Sequence, residues 1–296
     1  MKSQHPRRAC ETVPKQEFAS NIFAVAVAQP YKSLYIIRPM HLVPSEQVTL
    51  QAPVYFVSDA HLGAEPEPVA STQLERLLVL LQEVRRKNGS LIINGDLFDF
   101  WYEWQTVIPK RFFKILRALQ EATETGTRIH LLAGNHDFRL HGFLESEIGL
   151  VTHQDALTVQ IANHKVFVFH GDGLLRRDHG YRLLKKVLRN PVAQRLFLWL
   201  HPDLGMWLAR GTSQQSRNAT KGNPAEDADY IQFAAEMLKG GVDGVVLGHA
   251  HRPMERALDG GTYINLGDWI YHYTYAVHDG ERLALLKWAE SEGVGK

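Results

Sequence analysis

Five short clusters of Asp, His and Asn punctuate this chain, and each stands directly behind a run with strand character. They are Asp59-Ala60-His61, Gly95-Asp96-Leu97-Phe98-Asp99, Gly134-Asn135-His136-Asp137, His170-Gly171-Asp172 and Gly248-His249-Ala250-His251. The runs before them, near 54–58, 91–94, 129–133, 166–169 and 245–247, are short, apolar and β-prone, as buried strands are. One Asp-x-His on a loop is ordinarily a solvated surface pair. Five clusters at five strand ends, nearly all beside glycine, are hard to reconcile with chance. In open α/β sheets the carboxyl ends of strands are where ligands gather.

The segments between the clusters fit that reading. Leu74, Leu77, Leu78, Leu81 and Val84 recur at helical spacing and predict a helix over 70–87, closed by Asn88-Gly89. A second helix is predicted over 110–125, with Pro109 near its start and Gly126 after its end. Strand–helix alternation of this kind predicts βαβ units and a mainly parallel sheet. Beyond Gly149 the pattern changes to a hairpin, 157–161 with 166–169, turning around Asn163-His164. A basic, apolar segment follows at 174–222, helical to about Arg210. The chain then predicts a helix over 226–239 and strands at 245–247, 262–265, 274–278 and 283–288.

Carboxylate, imidazole and amide oxygen without thiolate suit Mn²⁺, Fe, Co²⁺ or Zn²⁺. Asp59, His61, Asp96, Asn135, His170, His249 and His251 are too many ligands for one ion. They are enough for two ions sharing a bridging carboxylate, about 3.5–4 Å apart. Such a pair acidifies water and neutralises a bound phosphate, which is the equipment for in-line attack at phosphorus.

The order D-x-H, G-D-x-x-D, G-N-H-D, H-G-D, G-H-x-H, over residues 53–269, resembles the calcineurin-like metallophosphoesterases. The resemblance implies an α/β fold, a two-sheet αββα sandwich flanked by helices. It implies that Asp59, His61 and His251 hold one metal, that Asn135, His170 and His249 hold the other, and that Asp96 bridges. His136 would then be the general acid or transition-state cation. Asp99 would orient it, with Asp137 a competing candidate and a plain loop hydrogen bond an equal reading for Asp99.

Within that superfamily, His170-Gly171-Asp172-Gly173-Leu174 through Arg189-Asn190-Pro191, together with Gly95 to Trp101, is similar to the UDP-2,3-diacylglucosamine diphosphatases of lipid A synthesis. Those enzymes carry a helical cap over the acyl chains, here matched by 174–222. The resemblance carries substrate contacts to Asp178, Tyr181, Asn218 and Lys221, and implies two ions, Mn²⁺ foremost. The expected reaction releases UMP and 2,3-diacylglucosamine 1-phosphate. One departure is that the diphosphatases have Arg after the metal-binding Asn, whereas this chain has His136. A related phosphodiesterase or phosphomonoesterase with another substrate, or a non-catalytic member of the fold, stays open on that ground.

Charge bears on the partner. The formal net charge is +1, yet 173–222 holds ten Lys or Arg against Asp178 and Asp203, so this segment is +8 and the remainder −7. Its leucines and tryptophans beside that charge suit acyl chains at an anionic inner-membrane surface. A single-strand nucleic-acid groove is the rival, disfavoured because the insertion is leucine-rich and the acidic remainder would repel a polyanion. No obligate protein partner is evident. The expected location is cytoplasmic and peripheral to the membrane. The lone cysteine, Cys10, excludes an intramolecular disulfide framework. At the N-terminus, Arg7-Arg8 and the apolar run 22–28 loosely imitate an export signal, but Glu11 and Glu17 interrupt it. Residues 1–50 are therefore expected to be a poorly structured extension, with Met40 an alternative start, and 51–290 to be the metallophosphoesterase domain.

Overall fold

The structure, a computed structural model, describes residues 45–174, 187, 190–209 and 224–289. The strands are β1 Ser45–Leu50, β2 Val54–Val57, β3 Ser90–Asn94, β4 Ile129–Leu132, β5 Val151–His153, β6 Ala156–Ile161, β7 His164–Phe169, β8 Gly244–Leu247, β9 Met254–Leu258, β10 Gly261–Asn265, β11 Thr274–His278 and β12 Leu283–Lys287. The helices are α1 Val69–Arg86, α2 Phe113–Glu124 (entered through a 3-10 turn at Lys110–Phe112), α3 Phe143–Ser146, α4 Pro191–Leu198, α5 at 202–209 and α6 Pro224–Lys239.

These strands form two mixed sheets, as the two-sheet αββα expectation has it. One runs β1-β6-β7-β8-β10-β9 and the other β12-β11-β2-β3-β4-β5. The βαβ reading holds locally, since β2, β3 and β4 are parallel neighbours. Beyond Gly149 the expected hairpin β6–β7 belongs to the second sheet, in which β7 pairs parallel with β8. Partners such as β1 with β6 and β2 with β11 lie far apart in sequence, so no local period announces which sheet such a strand joins.

Strand alternation explains the layers. Tyr55, Val57, Leu91 and Ile93 face α1 and α2, where Leu77, Leu81, Ile115 and Leu119 meet them. Val54, Phe56 and Ile92 point the other way, onto Val166, Val168 and Val246 of the opposite sheet. Val245 and Leu247 turn outward again onto Tyr230, Phe233 and Leu238 of α6. With both faces covered, the central strands read as continuous apolar runs. The result is an αββα sandwich.

The expected boundary at residue 51 falls too late, because β1 occupies Ser45–Leu50 and pairs parallel with β6. Its sequence, Ser-Glu-Gln-Val-Thr-Leu, is mostly polar and largely exposed, so it carries little strand signal. Its order comes from the edge of β6. Strand β9 went unanticipated for the same reason, since three of its five residues are exposed. The hairpin turn lies at Ala162-Asn163, and His164 already belongs to β7.

Candidate metal centre

Parallel pairing of β2-β3-β4 and of β7-β8 brings all five cluster-bearing strand ends to one edge of the sandwich. The sheets are stitched together there. Asn94 Nδ2 donates to the Phe169 carbonyl (2.9 Å), the His249 amide to Asp59 Oδ2 (2.9 Å), and Asn265 Nδ2 to the Gly248 carbonyl (3.0 Å).

The candidate ligand residues leave their strands in an unusual backbone state. Asp59, His61, Asp96, His249 and His251 all have positive φ, between 42° and 63°. Non-glycine residues seldom occupy this region, at a cost of about 1–3 kcal/mol each, and such strain gathers at functional sites. Two glycines of the clusters permit the close approach. A Cβ on Gly134 would overlap the Asp96 carboxylate, and one on Gly248 would overlap Ser58 and lie 2.7 Å from Asp59 Oδ2.

The seven predicted ligands converge. His61 Nε2 and His251 Nε2 stand 3.2 Å apart, with Asp59 Oδ1 at 3.7 and 3.3 Å from them. On the other side, Asn135 Oδ1 lies 3.1 Å from His170 Nε2 and 3.0 Å from His249 Nδ1. Asp96 Oδ2 sits between the two groups, 3.5 Å from His61 Nε2 and 3.4 Å from His170 Nε2. Asp59-His61-His251 and Asp96-His170-His249 each place their ligand atoms within 4.8 Å of one another. His61, Asp96 and His136 form a third such group, which the sequence reading did not foresee. Asp59, His61, Asp96 and His170 are almost wholly buried.

Electrostatics test whether divalent ions fit. Burial would raise the Asp59 carboxyl, but His251, His61 and His170 hold it well below the usual carboxylate range. Against burial, His170, His136 and His61 likewise hold Asp96 low. Burial would lower His170, yet Asp96, Asp59 and Asp172 raise it to about 10. Burial and the charge of His170 together press His249 down to about 4. Two buried carboxylates therefore draw positive charge into a cage of imidazoles. Asp59 Oδ1 is buried without a hydrogen-bond partner. A buried acceptor left this way, facing two imidazole nitrogens, fits a cation. His170 Nδ1 donates to the Asn94 carbonyl (2.8 Å), which fixes the ring and aims Nε2 inward.

His136 stands beside this cradle, its ring edge-on to His61 with centroids 4.6 Å apart. The Asp99 main-chain carbonyl, 2.9 Å away, accepts from His136 Nδ1, while the Asp99 carboxylate is 3.9 Å from it. Asp99 thus meets His136 most closely through its backbone, with its side chain alongside. Asp137 is engaged with the backbone of the site. Its carboxylate accepts from the amides of Gly134 (2.9 Å), Asp96 (3.0 Å) and Leu97 (2.8 Å) and braces two ligand loops together. Its position in Gly134-Asn135-His136-Asp137 was the available signal for a residue of the site, and the bracing was not foreseen. Asp268 was missed. It is buried, caps the amides of Ile270 (2.9 Å) and Tyr271 (2.6 Å), and helps raise His251. The Gly267-Asp268 pair directly follows β10, the same pattern as the other clusters. Asp178, Tyr181, Asn218 and Lys221 lie outside the described residues.

Two sheets stacked between helices, with metal-ligand side chains at the joined strand ends, define a metallophosphoesterase architecture, and the chain belongs to the calcineurin-like phosphoesterases, whose family model matches residues 52–253. It is a metal-dependent hydrolase by family and by donor set. Among similar proteins is the UDP-2,3-diacylglucosamine hydrolase of Porphyromonas gingivalis, 33% identical over 255 residues, covering 80% of this chain and 97% of the relative. The protein of the same name from Pseudomonas syringae pv. syringae is 35% identical over 225 residues, covering 73% and 88%. Among solved structures, an archaeal phosphodiesterase matches with a TM-score of 0.41 and 16% identity over 80% of this chain and 99% of its own.

Proposed function

We propose that the protein hydrolyses the pyrophosphate of UDP-2,3-diacylglucosamine at the α-phosphate, giving UMP and 2,3-diacylglucosamine 1-phosphate. The observation that carries the phosphoesterase part is the pair of three-ligand groups sharing one edge of the sandwich, with Asp96 between them. The substrate is carried by the relatives of that name, which align over most of this chain.

In this reading Asp59, His61 and His251 hold one divalent ion and Asn135, His170 and His249 the other, with Asp96 common to both and Mn²⁺ the first choice. When bound, the ions neutralise the phosphate and acidify water for attack at phosphorus. The chain's own residues do the rest. Asp137 holds the Asp96 and Asn135 loops in register. His136, with Nδ1 committed to the Asp99 carbonyl, turns Nε2 towards the cradle, 4.0 Å from Asp96 Oδ2. There it steadies the developing phosphoryl charge or protonates the leaving oxygen. The domain spans about 51–290 with β1 added. Residues 174–222 form the cap that receives acyl chains, with Asp178, Tyr181, Asn218 and Lys221 as substrate contacts.

Trp199 is 87% and Trp207 69% exposed, beside exposed Val192, Leu196 and Leu208. Bare aromatic and aliphatic side chains in a basic segment suit a peripheral position on an anionic inner-membrane face. No described helix is long and apolar enough to cross a membrane. His136, in place of the diphosphatases' Arg, supports a second reading, a phosphoesterase of the same chemistry with another substrate. Assay of Mn²⁺-loaded protein on UDP-2,3-diacylglucosamine separates them. Release of UMP is expected. No turnover, with aryl phosphodiesters still hydrolysed, leaves only the second reading.

A further inference from the structure

The loop that leaves the Asp96–Asp99 cluster ends in aromatic residues that grip the described part of the cap. Tyr102 Oη donates to the Gln194 carbonyl (2.8 Å) and Trp104 Nε1 to the Leu200 carbonyl (3.2 Å). The Phe197 ring packs against both, with centroids 4.7 Å from Tyr102 and 6.0 Å from Trp104. A Cβ on Gly205 would lie 2.9 Å from Trp104 and 3.1 Å from Phe197, so α5 also closes on the same pair.

The loop is rigid at its other end. His136 Nδ1 donates to the Asp99 carbonyl, and the Trp101 amide to the His136 carbonyl (3.3 Å). The Arg139 guanidinium lies 5.0 Å from the Tyr102 ring centroid and donates to the Glu103 carbonyl (3.2 Å). The Glu103 carboxylate accepts from the Phe143 amide (2.8 Å).

Helix α4 is held to this loop from a largely exposed position. It is eight residues long with none fully buried, too short to persist on its own propensity. Val192 and Leu196 face solvent, and so does Trp199 just past its C-terminal end. Among the described contacts that place it are Phe197, the Gln194 carbonyl within the helix and the Leu200 carbonyl just past it, and the Asn190 side chain that caps its first amides.

We propose that Tyr102 and Trp104 are positioning residues that seat the apolar cap segment relative to the metal cradle, and thereby set the affinity for substrates bearing acyl chains. The acyl part rests on the substrate reading given above; the seating does not.

The test is the double variant Tyr102→Phe with Trp104→Phe, which keeps two rings and removes both donors. In Mn²⁺-loaded protein, KM for UDP-2,3-diacylglucosamine should rise about tenfold with kcat nearly constant, as two lost hydrogen bonds imply. Hydrolysis of bis(4-nitrophenyl) phosphate should stay unchanged. Amide exchange across 191–209 should quicken while exchange at 134–137 does not. If both substrates lose rate together, the loop merely frames His136 and the proposal is overturned. Unchanged kinetics and exchange also overturn it. If wild-type protein hydrolyses the aryl diester but not the lipid, the substrate reading fails, and amide exchange alone then decides whether the pair seats the cap.

Discussion

Asp96 and His136 are neighbours with different work, and substitution should separate them. Asp96 Oδ2 stands between His61 and His170, so Asp96→Ala should lose metal and activity together. His136→Ala should keep bound metal and lower the rate by about 10²–10⁴, the usual worth of a placed acid or base. Metal analysis beside kinetics checks this, and two fully active variants would refute the assignment. A second prediction concerns His130, away from the cradle. It bonds His153 at 2.9 Å, which in turn meets Glu46 at 2.8 Å and so ties β4 and β5 to β1 across the sheets. Burial, then the charges of His153 and Arg128, lower His130 to about 4. The unfolded chain, titrating near the ordinary value of about 6.5, binds the proton first. The stability from keeping His130 neutral is complete above pH 6.5 and is lost as pH falls towards 4, on the order of 3 kcal/mol in all. Urea midpoints from pH 7 to 4.5 should fall less steeply in His130→Gln than in wild type; parallel curves would exclude the effect.

At the scale of elements, the site is a set of strand ends, and what joins them matters as much as what binds. The Asp137 carboxylate is pushed up to about 7 by burial and by Asp96, while the Gly134 and Asp96 amides pull it down. Those amides and that of Leu97 have no water to turn to. Asp137→Ala should therefore cost on the order of 3 kcal/mol or more, and should also loosen metal binding although no ligand is touched. Denaturant midpoints and metal content measure both, and a variant with neither changed would show the brace to be dispensable. The helices α1 and α2 and the strands β2, β3, β4, β7 and β8 were legible in the sequence, since each carries a full period of apolar residues. The edge strands β1 and β9 were not, because a half-exposed edge needs no apolar run.

For the whole molecule, the cradle is also a liability. Five candidate ligands sit in strained backbone, and two buried carboxylates kept ionised beside them favour bound cations that would brace the site. Ligands that bind only the folded state add about 4 kcal/mol at a thousandfold excess over Kd. Chelation should thus lower Tm by on the order of 10 °C, and Mn²⁺ should restore it. A Tm unmoved after metal analysis confirms removal would show that the ions do not support the fold.

The sequence by itself determined which side chains could bind metal and that each follows a strand. Those facts are local, written in motif spacing and in glycines placed against ligands. Only the tertiary structure decided that β7 and β8 belong to a second sheet whose ends meet those of the first, and that Asp96 stands between the two ligand groups. It also decided that Asp99 reaches His136 through a carbonyl, that Asp137 braces two loops, and that the aromatic loop after Asp99 meets α4. Each of these joins residues tens to nearly two hundred positions apart, through strand pairing, sheet packing or loop-to-helix contact, which no local period records.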